Sequence, residues 1–531
     1  MSISFNLIDE AWIPCAMLDG EISDLGLYDT LARAHEIREI VDASPLVTVS
    51  LHRLLLAILH RVFGPSDAAN WAELWRAGSF DEERLGEYLN EWRHRFDLFD
   101  PQRPFYQTPG MPEKMLKSIS KLATELAAGN NETLFDHTLD TMVTAMTPAR
   151  AARVIVAAHN FAASGTHSGE HGNLKASASP LRGGIAFLFR GDSAFETLML
   201  NLVAYDPHNQ QPPGIVGVGD DLPAWEQETS PSPENVYPRG YLDYLTWQSR
   251  RIWMPPPSDR QTQLVVCQAA LSKGREFPDD CYPRDPMMVH RKSSRGTDHP
   301  WPPLKFTEGK ALWRDSMSLL QSVPGQVTRP WVVEWVASLD AVGALEGASR
   351  FGLSAFGLTS QMGKAAKTTL WRHERMPLPL HYLRDSELVG DLAKALDMAE
   401  ATRAALRKHL WQLAAIVLAP DEEQKPDPDL VSKMVEGFPA MSLYWSELDT
   451  HFHRLVLDLP GDLKHRTGVL AWWSNECVAQ TAMDAFARTV RGLPQTPRFL
   501  RAIVRTEGRL RGMIYGHIIK PYREVNYAKT V

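Results

Sequence analysis

Hydrophobic residues in the first two hundred positions recur with helical spacing more often than with strand spacing. Apolar positions three and four residues apart share one face of an α-helix, whereas alternation at every second position is typical of a half-buried strand. Helical spacing predicts helices over residues 31–40, 46–63, 71–96, 113–128, 148–161 and 195–203. Strand spacing predicts strands over residues 5–18 and 185–190, with a hairpin turn at Asp19-Gly20 after the first.

Proline, glycine and serine mark the breaks between these elements. Residues 97–112 are predicted to form a proline-rich loop, and residues 162–184, rich in glycine, serine and histidine, a flexible loop. Thr147 and Pro148 suit the N-cap and first turn of the helix that follows them. The dense proline, glycine and aspartate of residues 206–303 predict irregular α/β structure.

The character of the chain changes near residue 385. Four long amphipathic stretches, separated by short polar breaks, are predicted to form helices over residues 386–418, 430–457, 464–491 and 496–515. Short breaks between long helices favour an antiparallel four-helix bundle. The predicted fold class is therefore α+β, with an irregular mixed α/β domain over residues 1–384 and a helical bundle over residues 385–531.

Charge is distributed unevenly along the chain. The total is −8, yet residues 486–531 hold ten Lys/Arg and two Glu, so this tail is +8 and the rest is −16. A polyanion responds to the local field, so a basic tail on an acidic body is compatible with nucleic-acid binding.

Composition indicates a folded protein of the reducing cytoplasm. Hydrophobic residues make up 44% and charged residues 23% of the chain, and its four cysteines lie far apart with no CxxC pair. The first residues lack a basic region followed by an apolar run, and no 18-residue window is uncharged and apolar. We therefore expect no disulfide framework, no signal peptide and no membrane partner.

Catalytic motifs such as HExxH, GxSxG and DxDxDG are missing from the sequence, which predicts no catalytic residue and no cofactor. The segment from Gly357 to Lys364 resembles a phosphate-binding P-loop. It has five residues between its glycines instead of four, and Ala365 stands where a Mg²⁺-binding Ser or Thr is required. A nucleotide hydrolase that uses this loop stays an alternative.

Histidines between residues 159 and 171 offer a second candidate chemistry. His159, His167 and His171, with Glu170, are types that ligate metals, but a flexible loop does not fix their spacing. Surface histidines on a polar loop are the favoured interpretation, so no metal site is predicted.

Arginines near the end of the chain follow a helical stripe. Arg498, Arg501, Arg505 and Arg509 are three, four and four residues apart, which places them on one helix face. Aligned cations repel one another and gain stability when phosphates lie along them. A solvated face, or one paired with acids of another helix or subunit, stays the alternative.

Three polar segments are further candidates for DNA contact. Residues 130–137 expose polar groups around Leu134 and Phe135, and Phe135 offers a ring for base stacking, although burial of both side chains is the simpler interpretation. In residues 357–367, Gln361 suits a base step and Lys364 and Lys367 suit phosphates, with an ordinary turn as the alternative. Residues 290–296 form a basic turn that suits a groove or a solvated loop.

An ordered series of segments resembles the CasA family, the large subunit of the type I-E CRISPR Cascade. The segments run over most of residues 4–380, with a looser likeness in the helical part. They are FNLIDEAWIPC, LARAHEIREI, LHRLLLAILHRVFG, FDLFDPQRPFYQ, NNETLFDH, LTWQSRRI and FGLTSQMGKAAKTTLWRHERMPLP.

The resemblance implies a DNA-binding subunit without an active site. It implies recognition of a protospacer-adjacent motif in double-stranded DNA, alongside guide RNA, the other Cascade subunits and a recruited helicase-nuclease. Family members that bind zinc do so through cysteine pairs, which this chain lacks, so no zinc is expected.

The family's functional elements can be carried onto positions of this chain. A wedge is implied at Ser360, Gln361 and Met362, a lysine finger at Lys292 with Arg291 as its rival, and a glycine loop at Gly165 and Gly169. The bundle is implied to hold DNA. The loop implied to contact the complex and the guide RNA contains Asn130, Asn131, Thr133, Leu134 and Phe135. A scaffold that binds protein partners but not DNA is a further alternative.

Overall fold

The structure, a computed structural model, describes most of the chain and divides it into two compact units. One unit comprises residues 1–310 and 321–375, and the other comprises residues 311–320 and 376–531. The described residues are all those outside 1–2, 124–144, 170–171, 207–210, 218, 229–231, 258–263, 294–299, 346–350, 361–367, 420–423 and 523–531.

Helices and strands alternate irregularly in the first unit. Its helices, numbered with α8 (Met317–Leu320) of the other unit, are α1 (Leu27–Ala32), α2 (Pro45–Val62), α3 (Ala68–Ala77), α4 (Glu82–Glu91), α5 (Pro148–Phe161), α6 (Ala194–Asn201), α7 (Tyr241–Leu245) and α9 (Trp331–Ala341). The strands are β1 (Ile13–Met17), β2 (Ile22–Leu25), β3 (Ile37–Ile40), β4 (Leu116–Ser118), β5 (Gly165–Gly169), β6 (Gly172–Ala176), β7 (Ile185–Arg190), β8 (Arg250–Trp253), β9 (Gln268–Lys273), β10 (His290–Arg291), β11 (Val327–Thr328), β12 (Gly352–Ser360) and β13 (Thr368–Pro377).

These strands form small sheets of two or three members. The orders are β2-β1-β3, β13-β12-β7, β4-β9-β8, β5-β6 and β10-β11. The pairings whose registers are resolved are antiparallel. Small antiparallel sheets need other elements to cover their apolar faces, so the helices complete the core.

Helix α2 is the central core helix of this unit. It packs against α5, α6, α7 and β12, and nearly all of its residues are buried. Among the described residues it is the one helix long and apolar enough to cross a membrane by length and composition, and 89% of that window is buried inside the protein. Such burial is typical of a core helix.

Several predicted elements are shorter than the periodicity suggested. The helix predicted over residues 71–96 is divided into α3 and α4, because Gly78 adopts φ +74° and ends α3. Asp81 then caps α4 by accepting a hydrogen bond from the Arg84 N–H (3.0 Å). The strand predicted over residues 5–18 is confined to β1.

Three other segments were predicted wrongly because long-range pairing decides their structure. The helix predicted over residues 31–40 gives way to β3, which pairs with β1. In the helix predicted from residue 113, Leu116 pairs with Ala270 of β9 and the described remainder forms 3₁₀ turns. The loop predicted over residues 162–184 contains the β5–β6 hairpin.

The second unit is helical. Its remaining helices are α10 (His381–Arg384), α11 (Ser386–Leu418), α12 (Pro428–Glu436), α13 (Ala440–Asp458), α14 (Leu463–Trp472), α15 (Gln480–Arg491) and α16 (Pro497–Met513). The helix predicted over residues 430–457 is broken before Pro439, and a π-helical segment, Trp473–Ala479, joins α14 to α15. Helix α11 matches its predicted bounds, and the predicted α+β class is confirmed.

The first unit contains a fully buried histidine, His60, whose pKa lies below its ordinary value. His60 packs edge-on against the rings of Tyr205 and Tyr241, and burial lowers its pKa to about 3. Among the described residues, neither ring nitrogen has a hydrogen-bond partner. The folded protein therefore keeps His60 neutral at pH values where the unfolded chain protonates it.

Replacing His60 with phenylalanine is expected to flatten the pH dependence of stability. Because the folded pKa is depressed, this stability is fully present above about pH 6.5 and is lost as the pH falls towards the folded pKa of about 3. Each such histidine contributes about 1.4 kcal/mol per pH unit in that window, and the phenylalanine variant loses that contribution. Urea unfolding at pH 7 and pH 5 gives the free energy of unfolding at each pH. An equal loss of stability between the two pH values in the wild type and the variant would contradict the expectation.

Candidate nucleic-acid interface

Two segments leave the same end of strand β7. Gly357 of β12 faces Ile185 in the antiparallel register, so residues 358–360 continue beyond the first residue of β7. On the other side, Ala186 forms an antiparallel bridge with Met288, which carries residues 290–292 beyond the same end. The end of β12 and the described start of the basic segment, residues 290–292, therefore emerge at one edge of the fold.

A third segment, residues 302–304, joins the start of β7 to the segment that leads to Lys292. The Leu304 carbonyl accepts a hydrogen bond from the Ile185 N–H (2.9 Å), and the Leu304 N–H donates to the Val289 carbonyl (2.8 Å). The next residue, Lys305, is exposed. Lys305 is thus a further cation at this edge, and no motif or spacing in the sequence marks it.

Lys292 and Arg291 differ in their surroundings. The Lys292 N–H donates to the Gln326 carbonyl (2.7 Å), which fixes its backbone while its side chain is exposed. Arg291 belongs to β10, pairs with Val327 of β11 and is half-buried. The exposed lysine is the better placed of the two for a groove of DNA.

The β5–β6 hairpin contains the two glycines of the implied glycine loop. A Cβ on Gly169 would lie 2.5 Å from the Gly172 carbonyl oxygen, and Gly172 itself adopts φ +135°. Glycine is therefore required at both Gly169 and Gly172. At Gly165, a Cβ would meet no described atom within 4 Å, so the missing side chain leaves an open approach to the strand.

Helix α16 displays most of the arginine stripe. Arg501, Arg505 and Arg509 are exposed, and the Arg501 Nε donates to the Pro497 carbonyl (3.3 Å). Among the described residues, none of these three lies within ion-pair distance of a carboxylate. Glu507 is instead 3.6 Å from Arg511.

Arg498 has a different role from the rest of the stripe. Its guanidinium donates to the carbonyl oxygens of Ile416 (3.2 Å) and Ala419 at the end of α11. A cation at this position stabilises the carbonyl end of a helix. The prediction of a DNA contact at Arg498 is therefore weaker than at the other three.

Several predicted site residues lie outside the described residues. They are Gln361, Met362, Lys364 and Lys367, and the loop residues Asn130, Asn131, Thr133, Leu134 and Phe135. Ser360 is the last residue of β12, and its side chain is likewise outside the described part. Their roles stay predictions.

The P-loop alternative conflicts with the strands around it. A P-loop joins a strand to a helix N-terminus, where backbone N–H groups hold phosphate. Here Gly357 to Ser360 form the end of β12, and the next described element is strand β13. Gly357 is required for packing, since a Cβ there would lie 2.8 Å from the Gly184 carbonyl oxygen.

The histidine cluster is not a surface group as a whole. His159 is buried in α5, and its Nε2 lies 3.0 Å from the Tyr106 carbonyl oxygen. Burial lowers its pKa to about 4. His171 and Glu170 lie outside the described residues, and among the described ones no group of three His, Cys, Asp or Glu is placed to hold a metal ion.

Comparison with known proteins agrees with the sequence resemblance. The sequence profile of CRISPR-associated protein Cse1 matches residues 6–492. The chain belongs to the Cse1 family. The match ends before α16. The prediction that the exposed arginines of α16 contact DNA therefore rests on their charge and geometry alone.

Individual Cse1 proteins resemble the chain over nearly its whole length. CRISPR-associated protein CasA/Cse1 of Thermus thermophilus is 33% identical over 525 residues, 96% of this chain and 97% of that protein. The crystal structure of Cse1 from Acidimicrobium ferrooxidans aligns with a TM-score of 0.82 at 25% identity, covering 98% of this chain and 99% of that one. A chain of a CRISPR RNA-guided surveillance complex aligns with a TM-score of 0.73 at 22% identity, covering 96% and 99%, which shows a shared fold.

Proposed function

We propose that the chain is the large subunit of a type I-E RNA-guided surveillance complex and recognises a protospacer-adjacent motif in duplex DNA. Its membership of the Cse1 family and its fold likeness to a chain of such a complex support this role. Residues 1–384 would read the motif, and the helices of residues 385–531, as a four-helix bundle, would hold DNA. The proposal places the protein in the cytoplasm and assigns it no catalytic residue.

The observation that carries motif recognition is the common edge formed beside β7. It brings the strand end that leads to Gln361 and the exposed Lys292 to the same side of one unit. A lysine and an uncharged wedge side chain suit the minor groove, where the hydrogen-bonding pattern is degenerate and intruding side chains unstack base steps.

The mechanism follows from these chemical types. Lys292 would contact the motif while Gln361 and its neighbours Ser360 and Met362 separate the first base pairs. Unstacking one step costs a few kcal/mol, which the protein contacts and the growing guide–target heteroduplex offset. Cleavage would belong to the recruited helicase-nuclease.

Replacing Lys292 or Gln361 with alanine is expected to lower motif-dependent affinity about 10-fold, because each removes one groove contact. The complex is reconstituted from its subunits and guide RNA, and gel shifts compare duplexes that share the target but carry randomised flanks. Selection of particular flanks by the wild-type complex identifies the motif.

Arg76, an exposed cation on α3, provides the matched control. Its alanine variant should bind as the wild type does, because it lies on an unrelated helix. Unchanged flank selection in both the Lys292 and Gln361 variants would reject those assignments, and a wild-type complex indifferent to flanks would reject motif recognition.

A further inference from the structure

We infer that Arg250 is a positioning residue, which sets the β5–β6 hairpin in place for motif recognition. The inference rests on the proposed function, because that function gives the hairpin glycines a role at DNA. The segment LTWQSRRI, which contains Arg250, has no role in the mechanism above.

One guanidinium joins both ends of the hairpin. The Arg250 Nη2 donates to the carbonyl oxygens of Ala163 (2.8 Å) and Ser177 (2.6 Å). Ala163 lies two residues before β5, and Ser177 follows β6 directly. Because the two N–H bonds of this one planar nitrogen point in fixed directions, Nη2 sets the positions of the two carbonyl oxygens relative to each other.

The guanidinium is itself held by a rigid frame. Arg250 Nη1 donates to the Ser249 carbonyl (2.7 Å), and the Ser249 hydroxyl donates to the His159 carbonyl at the end of α5 (2.8 Å). In the β8–β9 ladder Arg250 faces Lys273. A Cβ on Gly274 would lie 2.6 Å from the Arg250 backbone nitrogen, so glycine is needed there for the two backbones to approach this closely.

The charge of Arg250 is stabilised by carbonyl dipoles and by the Coulombic attraction of Glu276. The residue is 1% exposed, and among the described residues no carboxylate lies within ion-pair distance of it. Burial lowers its pKa to about 10, so it stays charged at neutral pH. Burying a charge costs desolvation free energy that hydrogen bonds to carbonyl groups offset only in part. A buried arginine bonded to backbone carbonyls is therefore expected where its geometry has a function.

A cavity borders the end of the hairpin that Arg250 contacts. The cavity has a volume of about 660 Å³ and is lined by Ser177, Arg250, Glu276, Trp247 and Phe277, among others. Strand β9 packs against both strands of the hairpin, while the open space lies beside the end of β6. At this end the backbone is held by hydrogen bonds, from Arg250 to the Ser177 carbonyl, from the Ser177 N–H to Glu276 and from the Ser179 N–H to the Ala162 carbonyl.

The test compares Arg250→Met and Arg250→Lys with the wild type in the reconstituted complex. Arg250→Met is expected to lower the preference for the motif-flanked duplex about 10-fold, while affinity for a duplex without the motif changes less than about 2-fold. Hydrogen exchange of amides 164–169 and 172–177 in the isolated chain should accelerate, and that of α5 should not. Arg250→Lys keeps the charge but not the planar guanidinium. Its motif preference and hairpin exchange should lie between those of the wild type and Arg250→Met.

Arg182→Met is the matched control. Arg182 is half-buried, and desolvation lowers its pKa to about 10 as it does for Arg250, but its Nη1 donates to the Phe161 carbonyl at the end of α5 (3.0 Å). Its variant should keep the motif preference. If Arg250→Met instead weakens both duplexes equally, or leaves hairpin exchange unchanged, Arg250 is a structural residue only and the inference fails.

The two failures can be told apart. A wild-type complex that selects flanks, with Arg250→Met selecting equally well, overturns the inference and leaves the proposed function intact. A wild-type complex that selects no flanks overturns the proposed function and, with it, the role in recognition. The hydrogen-exchange measurement needs no DNA, so in either case it shows whether Arg250 holds the hairpin in place.

Discussion

Replacing Arg501 and Arg505 together with glutamate is expected to lower the affinity of the reconstituted complex for duplex DNA about 100-fold at ~0.1 M salt. Each phosphate contact contributes about 0.9 to the slope of log affinity against log salt, so two lost contacts remove nearly two decades of affinity at this concentration. The slope itself should become shallower by about 2.

The expectation follows from the way α16 displays these side chains. Its buried residues include Ala502, Thr506 and Leu510, four residues apart, and they turn Arg501 and Arg505 outward. Among the described residues no carboxylate neutralises either arginine, so a change of sign alters the field met by DNA without breaking an internal ion pair. The variant should therefore fold normally.

Lys433→Glu with Lys464→Glu is the matched control. Both lysines are exposed in the same unit, on α12 and α14, and the double variant changes the net charge by the same amount. Its salt slope should stay near that of the wild type. If the arginine pair and the lysine pair give equal slopes, the stripe does not contact phosphate, and a surface for a protein partner becomes the better account of it.

The spacing of apolar residues predicted those helices that bury one continuous apolar face and do not depend on pairing with a distant strand. The predicted bounds of α5 and α11 agree with the structure because their caps, Thr147 and Asp385, are local signals that accept hydrogen bonds from the first turn. Long-range pairing could not be predicted in this way. Residues 37–40 have a helical sequence pattern, but β1 needs a partner strand and recruits them.

The residues of the candidate site also differ in whether local spacing or long-range contacts determine their positions. The common face of Arg501, Arg505 and Arg509 follows from spacing alone. The separate role of Arg498 depends on α11 carbonyls about eighty residues away in sequence. Likewise, Lys292 and the end of β12 come to one edge only because both segments pair with β7, and spacing along the chain does not contain that information.

Replacing Asp285 with alanine is expected to destabilise the protein by about 3–5 kcal/mol, because it leaves a guanidinium unpaired in the core. Arg53 Nη1 donates to Asp285 Oδ2 (2.8 Å), and the two side chains are 0% and 1% exposed. Asp285 also accepts the Met287 N–H (2.8 Å), just before the bridge that directs residues 290–292. Urea unfolding of the full chain measures the loss, and a change under about 1 kcal/mol would contradict the expectation.

A double-mutant cycle separates the pair from its surroundings. In Arg53→Met with Asp285→Ala no buried charge is left alone, so the double variant should be less destabilised than the sum of the two single variants. The exposed pair of Arg33 and Glu36 has the same 2.8 Å distance, with side chains 46% and 48% exposed. Glu36→Ala should cost less than about 1 kcal/mol, because water and salt screen that pair. Equal costs for Glu36→Ala and Asp285→Ala would mean that burial does not set the strength of the core pair, and that the segment leading to Lys292 is held by its backbone pairing with β7 instead.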